Sequence, residues 1–192
     1  MIPRERIKTY LDLTETQAVS RRYFLIGFFD GLLTIAGLII GAFISGHNDS
    51  RLVLSVGFAT MLAVGISSAW GAFEAERIEQ ESLKRKREKH LLFRFEDGII
   101  EDAHRFAVFV TSAVHGIAPI IGSIILLIPY LILPPLEAFE FSIILCCISL
   151  FLIGALMGRI FEGNIFINGL RTLILGLLIM LLVAVLNPAH VV

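Results

Sequence analysis

A single carboxylate, Asp30, lies inside an otherwise apolar run, residues 23–45, reading YFLIGFFDGLLTIAGLIIGAFIS. The run is long enough to cross a bilayer as a helix. An acid inside such a segment costs about 2.5–3.5 kcal/mol even on the lenient insertion scale, so it is expected to face a polar cavity or a partner helix. Cation transport is the chemistry it suggests, with packing against a neighbour as the plainer alternative. Thr34 lies one turn further along the same face and adds a hydroxyl oxygen. Two glycine pairs, Gly27/Gly31 and Gly37/Gly41, have the spacing that lets membrane helices approach closely. The first pair brackets Asp30, and a crossing there would bring two copies of the acid together in a dimer.

A second group of metal-ligating residue types lies in the charged stretch 74–105. Divalent ions such as Fe²⁺ and Mn²⁺ take carboxylate and imidazole ligands, with water completing the shell. At about 100° per residue, Glu76 and Glu79 share one helix face. Asp97, Glu101 and His104 share a face of a second helix, and Glu101 and His104 have the Glu-x-x-His spacing of di-iron carboxylate bundles. These side chains are candidate metal collectors. The alternative is a solvated acidic face opposite Phe95, Ile99, Ala103 and Phe106, braced by the helix pairs Glu81–Arg85 and Lys84–Glu88. The basic run 84–89 is a candidate contact for anionic lipid heads.

Further polar groups accompany the spans. Ser67 and Ser68 on the second span, and Ser112 and His115 on the third, are candidate pathway groups. The ordinary role of such a serine is a bond to its own helix backbone, and of such a histidine an interhelical bond. Met61, two turns before Ser68, is a soft ligand candidate or a packing residue. Asn164, Asn168 and Arg171 read as interfacial anchors. Cys146 and Cys147 are adjacent in an apolar run, which excludes a disulfide framework. A phosphate-cradling glycine loop, a Ser/His/Asp triad and a cysteine metal cluster are all missing from the sequence, which points away from a soluble-type enzyme.

The elements that position these groups follow from hydropathy. Of 192 residues, 56% are hydrophobic, which places the chain among integral membrane proteins of one domain. The net charge of −1, with no basic surface the size of a groove, gives no sign of nucleic-acid binding. The expected fold is all-α, with five transmembrane helices and a short cytoplasmic helical hairpin between the second and third. Residues 1–22 form a basic segment in which Ile7, Tyr10, Leu11 and Leu13 suggest an amphipathic surface helix. That polar start lacks the features of a cleavable signal peptide. Helices one and two occupy 23–73, the charged hairpin 74–105, and helices three to five 106–187. Pro119 is expected to kink the third span. Pro134 and Pro135 open a short loop bearing Glu137 and Glu140, with the fourth span starting near residue 141.

Basic residues set the expected orientation. Five Lys or Arg precede the first span, eight lie in the hairpin, and the opposite side shows only Arg51. The positive-inside rule then puts the amino terminus and hairpin in the cytoplasm and the carboxy terminus outside.

With these motifs in order, the chain resembles the vacuolar iron transporter family from Arg21 onward. The resemblance is carried by FFDGLLTIAGLIIG around Asp30, SSAWGAF at the end of the second span, and Gly122 followed by IPYL in the third. GALMGR in the fourth and GLRTLILG in the fifth complete it. It implies a homodimer of five-helix protomers, exporting Fe²⁺ and often Mn²⁺ from the cytosol in exchange for protons. Asp30 would match the family's membrane carboxylate, binding metal and proton in turn. The metal is cargo rather than a resident cofactor, and lipids, protons and a second copy are the implied partners. Ser68 and Ala72 stand where the family has a methionine and a glutamate, and the hairpin is shorter than the family's metal-binding domain. A membrane-tethered ferroxidase and a non-transporting scaffold are the rival functions.

Overall fold

The computed structural model describes residues 16–91, 98–160 and 162–187. The proposed surface segment up to residue 15, and Phe95 and Asp97 in the hairpin, lie outside them. Among the described residues the secondary structure is all helical. The helices are α1 (Thr16–Ile44), α2 (Ser50–Leu91), α3 (Ile99–Ile132), α4 (Pro135–Ile160) and α5 (Ile165–Val185). Each contains a window of mean hydropathy between 1.9 and 2.5 and is long enough to cross a bilayer.

Two boundaries differ from the hydropathy reading. Helix α1 begins at Thr16, so Arg21 and Arg22 lie in its first two turns, ahead of the apolar run. Helix α4 begins at Pro135, and Glu137 and Glu140 are therefore helical rather than part of a loop. The reason is local. Proline at the first helical position gives up an N–H that has no partner there, and an acid in the first turn meets the positive end of the helix dipole. Ala138 N–H donates to Pro134 O at 2.8 Å, closing that first turn. Helix α2 runs unbroken for 42 residues, about 63 Å at 1.5 Å per residue.

The chain divides into two compact units. The first comprises residues up to 27 together with 65–118. Its interior holds Leu25, Ala72, Ala103, Ala107, Val108 and Ala118. Small residues let its helices close up: a Cβ on Gly116 would lie 2.6 Å from that of Ala69 and 2.9 Å from Gly65 O. Ser112 donates to its own helix, at Val108 O (2.6 Å), the ordinary role of such a serine.

The second unit comprises residues 28–64 and 119–192. Leu32, Ile35, Ala36 and Ile39 of α1 are fully buried in it, with Val53, Leu126, Cys146 and Leu150. Helices α4 and α5 form a hairpin through Glu162, whose φ of 53° lies in the left-handed region, and Gly163. Asn164 caps α5, accepting from Phe166 N–H and Ile167 N–H at 3.0 and 3.2 Å. Glycines bring the pair together: Gly154 packs on Thr172 and Asn168 O, Gly169 on Phe151, and Gly176 on Leu150. The glycines of GALMGR and GLRTLILG thus face each other's helices.

Candidate functional site

In the second unit, the site begins with a backbone contact. A Cβ on Gly31 of α1 would fall 2.5 Å from Cα and 2.6 Å from C of Pro119 on α3, and closer still to the Pro119 carbonyl oxygen. Three residues on, Gly122 faces Phe28 O and Leu32 N in the same way, and Ser123 Oγ donates to Gly31 O at 3.3 Å. Gly31 is therefore packed on α3 of the same chain. Gly37 and Gly41 likewise face the end of the fifth span, toward Val183 and Asn187. Within the chain, the close approach that the Gly27/Gly31 spacing allows is thus made by α3 at Gly31.

The same contact directs Asp30. One residue back along the helix is about 100° around it. With Gly31 buried against α3, Asp30 is left exposed, one turn from exposed Ile26 and from half-buried Thr34. Met61 on α2 is buried, 4% exposed, inside the second unit.

A feature the glycine pairs obscure lies on α2. Ser55, Ala59 and Ala63 are spaced by four and all exposed. Residues four apart are neighbours on a helix surface, so these three form a short ridge of small side chains. Ser67 is exposed and Ser68 half-buried.

In the first unit, Tyr23 holds two sequence-distant groups. Its hydroxyl donates to Glu76 Oε1 at 2.8 Å, and its carbonyl oxygen lies 2.9 Å from His115 Nδ1. The Tyr23 and His115 rings sit 5.0 Å apart, and the Arg22 guanidinium lies 5.8 Å from the Tyr23 ring centroid. His115 therefore makes an interhelical bond, the ordinary role for it. No local sequence pattern marks Tyr23, because its partners lie 53 and 92 positions away.

Among the described residues, three of the remaining hairpin acids meet bases. Glu74 pairs with Arg77 at 3.1 Å and Glu81 with Arg85 at 3.8 Å. Glu101 pairs with Lys84, which ties α2 to the first turn of α3. Glu79 is exposed and His104 half-buried. Among the described residues, no three His, Cys, Asp or Glu side chains converge as a metal would require.

A family model, that of the VIT family, matches residues 21–92 and 75–186, nearly the whole described chain. The chain belongs to the VIT family. It is also similar to an uncharacterized protein of Methanocaldococcus jannaschii, 29% identical over 153 residues that cover 78% of this chain and 79% of that one. VIT-family proteins are membrane metal-ion transporters, and five helices of spanning length make this member an integral, multi-pass membrane protein. In this VIT-family chain, the Asp-Gly pair of the first span divides two tasks. Gly31 admits α3, and Asp30 is presented outward.

Proposed function

We propose that this VIT-family protein exports a divalent transition metal, Fe²⁺ or Mn²⁺, from the cytoplasm in exchange for protons, along a path between two copies of the chain. The outward exposure of Asp30 on a membrane-spanning helix carries this reading. Left against acyl chains, a carboxylate costs about 2.5–3.5 kcal/mol, a cost removed by a second copy and a wet path. The small-residue strip Ser55, Ala59 and Ala63 supports close approach of that second copy.

Paired Asp30 carboxylates would exchange protons for a metal ion arriving from the cytoplasmic side. Protons arriving from the other side would then release it. Thr34, Met61, Ser67, Ser68 and His115 are proposed to line the route, with Glu76, Glu79, Asp97, Glu101 and His104 collecting metal at its cytoplasmic end. The orientation rests on the basic residues before α1 and in the hairpin. A ferroxidase centred on Glu101 and His104 would need a converging ligand set, and among the described residues no three His, Cys, Asp or Glu side chains meet.

The test is flux of Fe²⁺, Mn²⁺, Co²⁺ and Zn²⁺ into proteoliposomes against an imposed pH gradient. Wild-type protein should carry at least one of them, and Asp30→Ala should abolish that flux while keeping native helicity. Undiminished flux in Asp30→Ala would overturn the reading.

A further inference from the structure

In the first unit, Tyr23 and Trp70 lie within about one turn of the same height. His115 Nδ1 bonds Tyr23 O, and on the next residue of α3, Gly116, a Cβ would meet Ala69, the neighbour of Trp70 on α2. Trp70 is the chain's single tryptophan and is 65% exposed. Arg21 and Arg22, one and two residues before Tyr23 on α1, are exposed as well. Exposed tryptophan level with arginine at the end of an apolar run is the pattern of a membrane–water boundary. Two acids one to two turns beyond Trp70 are engaged: Glu74 pairs with Arg77, and Glu76 accepts from the Tyr23 hydroxyl. Among the described residues, neither Arg21 nor Arg22 pairs with a carboxylate. Arg21 Nε donates to Gln17 O at 3.3 Å, and the Arg22 guanidinium lies 5.8 Å from the Tyr23 ring centroid.

We propose that Arg21 and Arg22 form a docking surface for anionic phospholipid headgroups in the leaflet where α1 begins. A guanidinium meets phosphate oxygens with paired N–H donors. Adjacent side chains diverge by about 100° around a helix, so the two charges cover an arc of lipid rather than closing on one phosphate. The basic run 84–89, the candidate lipid contact in the sequence, is placed differently. It lies 14–19 residues past Trp70, or about 21–29 Å along α2. That is more than twice the ~8 Å over which a surface charge is felt at physiological salt. Lys84 is also held by Glu101. The lipid contact therefore moves from the hairpin to the start of α1, whichever ion the protein carries.

The test is binding of phosphatidylglycerol and of phosphatidylcholine to the full chain in detergent micelles, resolved by native mass spectrometry as successive bound lipids. Wild-type protein should bind phosphatidylglycerol the more tightly. Each basic residue near a membrane surface contributes about fivefold to anionic-lipid binding. The double variant Arg21→Gln/Arg22→Gln should therefore weaken the tightest phosphatidylglycerol by about thirtyfold and leave phosphatidylcholine unchanged. Arg21→Lys/Arg22→Lys, which keeps both charges, should retain most of the preference. Arg85→Gln/Lys86→Gln should alter neither lipid. Equal affinity for the two lipids in wild type would overturn the proposal whether or not the variants fold. Undiminished phosphatidylglycerol binding in Arg21→Gln/Arg22→Gln would overturn it equally, as would an equal loss in Arg85→Gln/Lys86→Gln, by placing the lipid on the hairpin.

Discussion

Replacing Gly31 by Ala tests the helix contact on which the position of Asp30 depends. The new Cβ would meet backbone, at 2.5 Å from Pro119 Cα, where ordinary contact begins near 3.4 Å. No side chain can rotate away, so α1 and α3 must part by about an ångström. Overpacking of this kind costs about 1–3 kcal/mol. Parting the helices also weakens the bond from Ser123 to Gly31 O, and interhelical bonds in membranes average about 0.6 kcal/mol. We expect Gly31→Ala to destabilise the fold by about 2–3 kcal/mol, or at least thirtyfold in the folding equilibrium. Gly37→Ala is the control, because its Cβ would lie 3.8 Å from the Val183 side chain, an ordinary contact. Unfolding both variants and wild type in mixed dodecylmaltoside and SDS micelles measures the difference. Equal stability of Gly31→Ala and Gly37→Ala would refute the close crossing and, with it, the account of why Asp30 faces outward.

Three further outcomes are expected. Lys84→Ala leaves the shielded Glu101 oxygens without their cation and should cost about 1–3 kcal/mol, with Glu101→Gln restoring much of the loss in a double-mutant cycle. A purely additive cycle would remove the ion pair from the account. Tyr130→Phe deletes the bond from the Tyr130 hydroxyl to Asn48 Oδ1 at 2.8 Å, and so loosens Asn48, which donates to Pro135 O. About 1 kcal/mol should be lost, with faster hydrogen exchange around residue 48. Ser142→Ala removes a buried donor to Leu126 O and should cost about 0.6 kcal/mol, read in the same micelle assay.

The five spans were legible because hydropathy over twenty residues is a strong local signal, and α2, α3 and α5 begin or end close to where it changes. The start of α4 was hidden by Glu137 and Glu140, whose charge outweighs Pro135 as a helix-start signal in a hydropathy window. Direction around each helix was not legible. The sequence shows Gly31 beside Asp30 and the four-residue spacing of Ser55, Ala59 and Ala63. Which face of α1 packs inward depends on Pro119, 88 positions beyond Gly31. Tyr23 was invisible for the same reason, since no local pattern marks a residue whose partners come from two other helices.

The bare backbone contact of α1 with α3 also limits how this protein can move. Flexible side chains at an interface act as a lubricating layer, letting neighbouring rods roll or ratchet past each other. Between Gly31 and Pro119, and again between Phe28 and Gly122, that layer is absent. Any cycle that exposes Asp30 first to one compartment and then to the other must therefore carry these two stretches as a single block, and the shear has to fall on softer seams elsewhere.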